Sequence, residues 1–293
     1  MNVHNKKTSS IFQTIHNKQI KNKFSKKKVQ TLLAYKNLKV KKDFFKRKIC
    51  ADFGCGLTGY GAINLFNLGA EYVHLVDINK NVKRMVKKSL RKYENKYEIN
   101  ISSIEKTNFP NDYFDFILCQ GVIHHTKNDT KCFSEIYRTL KPGGSALITV
   151  LGQGGLVTDI LLKVIRPYYK ITKYNKIMRK IIFNQLNSYK KFYFKNLNAK
   201  SKKFFNYLNE FIDEDLFLTI QDRILAPKYK VYKENVLRKK FAKMGFYKTY
   251  RIKKTPIFNN LRRFLNPFYY HYNHELSRLL YGEGSITLMI KKK

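Results

Sequence analysis

A short apolar segment followed by closely spaced glycines constrains the fold of this chain more than any other stretch. Residues 49–53 are apolar apart from Asp52, and Gly54, Gly56 and Gly59 follow them. Glycine adopts positive φ angles and has no Cβ, so a turn of this kind can bring its backbone close to a ligand. A helix after the turn would direct its amide groups and the positive end of its dipole to the same place. The segment therefore predicts a β-strand, a ligand-binding turn and a helix.

A second apolar segment, residues 73–77, ends in Asp77. In a βαβ unit, an acid at the end of the second strand is placed to bind the two hydroxyls of a ribose. Nicotinamide and flavin enzymes share this arrangement, and the three glycines also fit their G-x-G-x-x-G pattern. Asp52 favours another ligand, because its carboxylate would repel a pyrophosphate and attract a cation. S-adenosylmethionine carries a ribose, an ammonium and a sulfonium but no phosphate, so it fits both acids.

Strand and helix signals alternate as far as residue 151. The sequence predicts strands at about 48–53, 72–77, 99–101, 114–119 and 145–151, and helices at about 60–68, 80–94 and 129–140. Alternation predicts an α/β fold with a doubly wound, mostly parallel sheet, which binds ligands at the carboxyl ends of its strands. A helix at about 233–244 and two strands near 246–252 and 285–290 would complete seven strands with an antiparallel edge.

The chain divides into four segments by composition and pattern. Residues 1–28 are polar and basic, and we predict a flexible tail there. Residues 29–151 form the predicted ligand-binding core, and residues 231–293 form a closing helix and hairpin. Residues 152–230 lack strand signals, so we predict a helical insertion that covers the substrate as a lid. Its apolar and basic residues also suit contact with anionic lipid or simple packing against the core.

The net charge of +39, from 59 Lys and Arg against 20 Asp and Glu, is extreme. It fits a polyanionic partner such as nucleic acid, anionic lipid or an acidic substrate. Codons rich in A and T would produce the same profile, since lysines are spread along the chain, Trp is absent and Pro and Gly are sparse. We favour this compositional explanation, so nucleic acid is a possible but not a favoured partner.

Cysteine spacing indicates whether the chain binds a metal, and the length of its apolar runs indicates whether it crosses a membrane. Cysteine spacing does not match a zinc site, and we predict no metal. No run approaches the roughly 20 apolar residues that span a bilayer, and the N-terminal segment lacks the apolar region of a signal peptide. We predict a reduced, cytoplasmic location, with at most peripheral contact with a membrane. The four cysteines are Cys50, Cys55, Cys119 and Cys132.

Three blocks in this order and spacing resemble the class I S-adenosylmethionine-dependent methyltransferases of the broad small-molecule type. The blocks are residues 51–56 with Asp77, residues 103–115, and residues 121–126 with 140–144. They cover about a third of the chain. The resemblance implies a Rossmann-like methyltransferase fold and S-adenosylmethionine as the cofactor. It also implies methyl transfer to an O, N or C nucleophile of a small-molecule, lipid-like or glycan-linked acceptor.

The resemblance also implies which residues bind the cofactor. Asp52 and the backbone of Gly54 and Gly56 would hold the methionine end, and Asp77 would bind the ribose. Ser103 stands where the family often has Asp, so its hydrogen bond to the adenine amine would be weaker. The remaining implied contacts, at the turn, the adenine and the sulfonium, are Gly59, Ile78, Ile104, Glu105 and Gln120.

His124 and His125 lie just beyond the predicted fourth strand, near the expected methyl group. Methyl transfer from a sulfonium is an in-line displacement, and a base is needed only if the acceptor loses a proton as it attacks. An unperturbed histidine titrates near pH 6.5, so one of the pair is a candidate general base. The alternative, that the pair only packs and caps the loop, stays open.

Three other functions stay open. An RNA methyltransferase would use the basic surface, although the sequence has no appended RNA-binding motif. A dinucleotide-dependent oxidoreductase is disfavoured by Asp52 and by the absence of further strand–helix alternation after residue 151. A binding module would keep the fold without catalysis. The sequence does not identify the acceptor or the oligomeric state.

Overall fold

The computed structural model describes residues 3–19, 33–167, 219–252 and 282–293, together with isolated residues within 184–202 and 275–279. The strands are β1 (Ile49–Phe53), β2 (Tyr72–Asp77), β3 (Tyr97–Ile101), β4 (Phe114–Gln120), β5 (Leu140–Leu151), β6 (Phe246–Arg251) and β7 (Ser285–Lys292). The α-helices are α1 (Val3–Gln19), α2 (Tyr35–Leu38), α3 (Tyr60–Asn67), α4 (Val82–Ser89), α5 (Asp129–Thr139), α6 (Leu156–Asp159) and α7 (Glu234–Lys243). Short 3₁₀ turns span Arg91–Tyr93 and Ile123–His125, and π-helical segments span Ile160–Ile165 and Thr219–Leu225.

The seven strands form one sheet in the order β3-β2-β1-β4-β5-β7-β6. Strands β1 to β5 are parallel, and β7 runs antiparallel to both β5 and β6. The order reverses between β1 and β4, which places a ligand crevice at their carboxyl ends. The predicted doubly wound, mostly parallel sheet with an antiparallel edge is confirmed.

Both faces of the sheet are buried, as expected where helices cover a parallel sheet. Successive residues of β1 point to opposite faces. Ala51 and Phe53 pack in one apolar cluster with side chains of α5 and α7. Cys50 packs in the other cluster with side chains of α3 and α4. Two helical layers therefore hold β1 rigidly beneath the glycine turn.

Strand β5 begins earlier than the sequence predicted. Residues 141–144 were expected to cap the preceding helix, because Pro and Gly commonly follow helix ends. In the structure α5 ends at Thr139, and Leu140 has extended dihedral angles and pairs with Phe114 of β4. Residues 141–144 therefore form an irregularity in β5 between Leu140 and Ser145, the two residues that pair with β4 on either side of it.

The N-terminal segment also differs from its prediction. Residues 3–19 form α1 instead of a flexible tail. The prediction was wrong because it considered only the polar, basic composition. One face of the helix points inward, and Thr8 and Ile15 are buried on it. Residues 20–28 of the predicted tail lie outside the described residues.

The predicted insertion at 152–230 is described only near its two ends. Arg166, at the first end, donates hydrogen bonds to the carbonyl oxygens of Ile224 at 3.3 Å and Ala226 at 2.7 Å. Gly152 forms a bridge with Tyr232. These contacts join the two ends beside the sheet, while the rest of the predicted lid, apart from isolated residues within 184–202, lies outside the described residues. Among the described helices, none has the length and apolar character to cross a membrane.

Candidate active site

A cavity of about 130 Å³ lies at the carboxyl ends of β1, β2 and β4, on the side of the sheet where its strand order reverses. It brings together the glycine turn, the end of β2, the loop after β3 and the end of β4. Helix α1 closes it from above. The predicted cofactor residues that line it are Gly54, Asp77, Ile78, Ser103, Ile104, Glu105 and Gln120.

Asp77 organises the wall of the cavity nearest the turn. Its Oδ2 accepts a hydrogen bond from the amide of Gly56 at 2.9 Å, and its Oδ1 accepts one from the amide of Asn79 at 2.9 Å. Burial raises the pKa of Asp77, against the opposite effect of these backbone amides. A carboxylate oxygen can accept more than one hydrogen bond, so the group can hold the turn and still bind a ligand hydroxyl.

The turn depends on glycine at two positions. Gly54 has a φ of +79°, and a Cβ added there would lie 2.2 Å from Val122 Cγ2. Gly56 has a φ of +61°, and its added Cβ would lie 2.7 Å from the His16 ring. Gly59 does not line the cavity and instead precedes α3 as its N-cap residue. The backbone at the first two positions therefore approaches its neighbours more closely than a side chain would allow.

Asp52 lies beneath the turn and does not line the cavity. Its carboxylate points at the start of α3, where Oδ2 would be 2.2 Å from a Cβ added to Gly61 and where the amide of Ala62 donates to it. Burial, and then the charge of Asp77, raise the pKa of Asp52 to about 7, while the Ala62 amide opposes the shift. A direct contact between Asp52 and the methionine end stays a prediction.

Because of this shift, we expect the contribution of Asp52 to stability to fall as the pH rises from about 4 to about 7, and Asp52→Asn to remove that contribution. The pKa of Asp52 is 3.8 in its ordinary state and about 7 in the fold. Between these values the Asp52 carboxyl binds more protons in the folded state than in the unfolded state, so its contribution to the free energy of unfolding decreases with pH. Urea denaturation across this range measures it, with Asp43→Asn, an exposed carboxylate, as the control. Parallel curves for the wild type and Asp52→Asn would contradict the assignment.

Hydrogen bonds to Glu135 and Asn128 hold the loop after β3 on the side away from the cavity. Glu135 on α5 accepts hydrogen bonds from the Thr107 amide at 2.7 Å and from Arg138 Nη2 at 2.7 Å. Glu105 accepts a hydrogen bond from the amide of Asn128 at 2.9 Å. These contacts hold residues 103–105 at the edge of the cavity, where the sequence predicted contacts with an adenine.

Helix α1 covers the cavity with one face. His4, Thr8, Phe12 and His16 all line it, and they recur every fourth residue, which is helical spacing. His4 Nε2 lies 2.9 Å from the carbonyl oxygen of His125, and the amide of Leu57 donates to His16 Nδ1 at 3.4 Å. Burial lowers the pKa of His16 to about 4. The regular spacing was a signal for this helix that the prediction of a flexible tail overlooked.

The two candidate catalytic histidines have different positions. His125 lines the cavity, and its ring packs edge-on against Phe12 with centroids 4.8 Å apart. His124 is buried and does not line the cavity. Burial, and then the charge of His125, hold the pKa of His124 well below its usual value. Only His125 can therefore face a substrate directly.

Asp222 is a site residue to which the sequence analysis assigned no role. Its Oδ1 lies 2.8 Å from His125 Nε2. Burial would raise the pKa of Asp222, but its contact with His125 and the charges of His125, His124 and Arg223 lower it to about 2. Asp222 is therefore ionised in the fold and stands next to both histidines.

Comparison with known proteins agrees with this geometry. Residues 51–148 match the family described as a methyltransferase domain. Phosphoethanolamine N-methyltransferase 2 of Caenorhabditis elegans is 32% identical over 124 residues, which cover 40% of this chain and 28% of that protein. The phosphoethanolamine N-methyltransferase of Plasmodium falciparum (isolate 3D7) is 32% identical over 100 residues, covering 33% of this chain and 37% of that protein. The chain thus spans less than half the length of these curated relatives.

A solved structure supports the fold. The 1,6-didemethyltoxoflavin-N1-methyltransferase of Burkholderia thailandensis aligns with a TM-score of 0.50 and 10% identity, covering 100% of this chain and 92% of that one. At this identity the likeness concerns the fold alone. Three findings indicate the same type of fold. They are the strand order, the glycine turn held by Asp77 and the matched domain. Residues 51–148 therefore form a methyltransferase domain, and the chain has the fold of the class I S-adenosylmethionine-dependent methyltransferases.

Proposed function

We propose that the protein is an enzyme that transfers a methyl group from S-adenosylmethionine to an O, N or C nucleophile of a small-molecule acceptor. The observation that carries the proposal is the single cavity shared by Gly54, Asp77 and the loop at 103–105. These elements lie at the carboxyl ends of parallel strands, where this type of sheet binds nucleosides. The matched methyltransferase domain spans the same elements.

The residues of the cavity suit this cofactor. Gly54 and Gly56 have positive φ angles and no Cβ, so their backbone can approach neighbouring groups closely. Asp77 provides an acceptor for ribose hydroxyls, and Ile78 and Ile104 provide apolar surface for an adenine. Bound S-adenosylmethionine would supply an activated methyl group on its sulfonium. The chain itself would orient the cofactor, hold the acceptor in line and exclude water from the cavity beneath α1.

The acceptor is proposed only by class. Two relatives that match part of the chain are named phosphoethanolamine N-methyltransferases, so a small polar amine is the first acceptor to test. A lipid-like or glycan-linked acceptor, and peripheral contact with a membrane, remain proposals from the sequence. A general base among His124 and His125 also stays a prediction. His125 is the nearer candidate because it lines the cavity.

Thermal unfolding with two ligands tests the proposal. We expect saturating S-adenosylhomocysteine to raise the melting temperature by several degrees, because a ligand at 100 times its Kd stabilises the folded state by about 2.7 kcal/mol. We expect NAD to have no effect, since the carboxylate of Asp52 beneath the turn opposes a pyrophosphate there. Stabilisation by NAD and not by S-adenosylhomocysteine would favour the oxidoreductase alternative and overturn the proposal.

A further inference from the structure

Three potential metal ligands converge behind the wall of the cavity. One nitrogen of His124, one nitrogen of His125 and one carboxylate oxygen of Asp222 all lie within 4.8 Å of one another. His124 and His125 are 4% and 3% exposed. Imidazole nitrogens and a carboxylate oxygen are ligands that divalent transition metals prefer.

In the described part of the chain, His125 Nε2 has only the ion-pair contact with Asp222, and His124 Nδ1 has no partner. His124 Nδ1 and His125 Nε2 are buried without a hydrogen-bond partner there. Asp222 Oδ1 lies 2.8 Å from His125 Nε2, which is ion-pair distance. Buried polar atoms are nearly always paired, so the unpaired His124 Nδ1 beside this pair points to an ion or another ligand among the three groups.

The fold holds the three ligands from outside the cluster. The two histidines belong to the 3₁₀ turn after β4, and His125 Nδ1 lies within hydrogen-bond distance, 3.0 Å, of the Lys228 carbonyl oxygen. Such a contact on the second nitrogen fixes the orientation of a ligating imidazole. Asp222 belongs to the π-helical segment whose last turn is held by the guanidinium of Arg166. The cluster is therefore built from two segments that the tertiary structure positions separately.

We propose that His124, His125 and Asp222 bind one divalent transition-metal ion of the zinc or ferrous type. Magnesium and calcium are excluded as the preferred ions, since they favour oxygen ligands. Three protein ligands leave at least one position for water or for an oxygen of the acceptor. Histidines that ligate a metal through these nitrogens do not accept a proton there, so this site and a general-base role for the same histidine are alternatives. Metal binding does not depend on the proposed methyl transfer.

Cobalt titration of the full chain tests the site. Protein without a histidine tag, freed of metal by a chelator, is titrated with Co²⁺ and followed by visible absorption. We expect one equivalent to bind, to be displaced by Zn²⁺ and to be unaffected by Mg²⁺. His124→Ala and Asp222→Asn are expected to weaken Co²⁺ binding by at least about 100-fold, since loss of a residue that only supports a ligand already costs 10–100-fold. His74→Gln, a buried histidine on β2, is the matched control and should bind as the wild type does.

Two results would overturn the site. The first is wild-type protein that shows no saturable Co²⁺ spectrum, and the second is an affinity for Co²⁺ that His124→Ala and Asp222→Asn leave unchanged. Circular dichroism and the thermal shift with S-adenosylhomocysteine check the fold of each variant. Asp222→Asn preserves the shape of the side chain, so it remains informative if His124→Ala does not fold. Because the thermal shift is measured separately, failure of the metal site is distinguishable from failure of the methyltransferase proposal.

Discussion

Asp77→Ala is expected to lower the affinity for S-adenosylhomocysteine by at least about 100-fold. A hydrogen bond to a charged group contributes about 1.5–3 kcal/mol, and two ribose hydroxyls would donate to this carboxylate. Their loss alone amounts to about 3 kcal/mol, or roughly 100-fold, since each 1.4 kcal/mol is a factor of ten. The amides of Gly56 and Asn79 also lose their acceptor, so the turn itself loosens. Isothermal titration calorimetry measures the change.

The matched control for this substitution is Glu98→Ala. Glu98 is an acid on the neighbouring strand β3 whose side chain is 56% exposed, and it lies away from the cavity. We expect this variant to bind S-adenosylhomocysteine as the wild type does. If Asp77→Ala, folded by circular dichroism, also bound normally, the assignment of the ribose to the end of β2 would be wrong.

Gly54→Ala is expected to destabilise the protein by about 1–3 kcal/mol more than Gly121→Ala does. Both glycines have left-handed backbone angles, with φ of +79° and +74°. Both substitutions therefore carry a similar backbone penalty. Only the first adds a steric one, because its Cβ would lie 2.2 Å from Val122 Cγ2, while a Cβ at Gly121 meets no atom of the described residues within 4 Å. A β-branched valine has few rotamers with which to move away.

Urea denaturation of the two glycine variants side by side isolates the steric contribution. We also expect Gly54→Ala to weaken S-adenosylhomocysteine binding, because any relief of the overlap shifts the turn that lines the cavity. Equal losses of stability in the two variants would show that the Val122 side chain can move away from the added Cβ without an energetic cost. The close packing of the turn against Val122 would then not be a constraint on the site.

Local patterns were sufficient to predict the sheet and much of the cavity. The apolar segments that became β1, β2 and β4 are short, buried and bounded by glycine or acid, so their ends could be located from the sequence. The carboxyl ends of parallel strands meet at one edge of the sheet. Residues as distant as Gly54, Ile104 and Gln120 were therefore expected in one place, and the structure brings them there.

Long-range contacts could not be predicted in this way. Asp222 reaches His125 across most of the insertion, and no spacing in the sequence marks that pairing. Helix α1 was missed because its covering face carries histidine, threonine and a single phenylalanine, which contribute little to a hydrophobic pattern. The sequence indicated that the Asp52 carboxylate was important. Its orientation towards the start of α3 depends on how that helix packs and could not be predicted. In each case tertiary structure decided what composition left open.

The closure of the cavity by α1 has a consequence for turnover. Side chains of α1 lie over the cavity, so entry and exit of an adenosine-sized molecule would require residues 3–19 to move aside. Each catalytic cycle would include a departure and a return of residues 3–19, and the rate of that departure sets an upper limit on the exchange of spent cofactor.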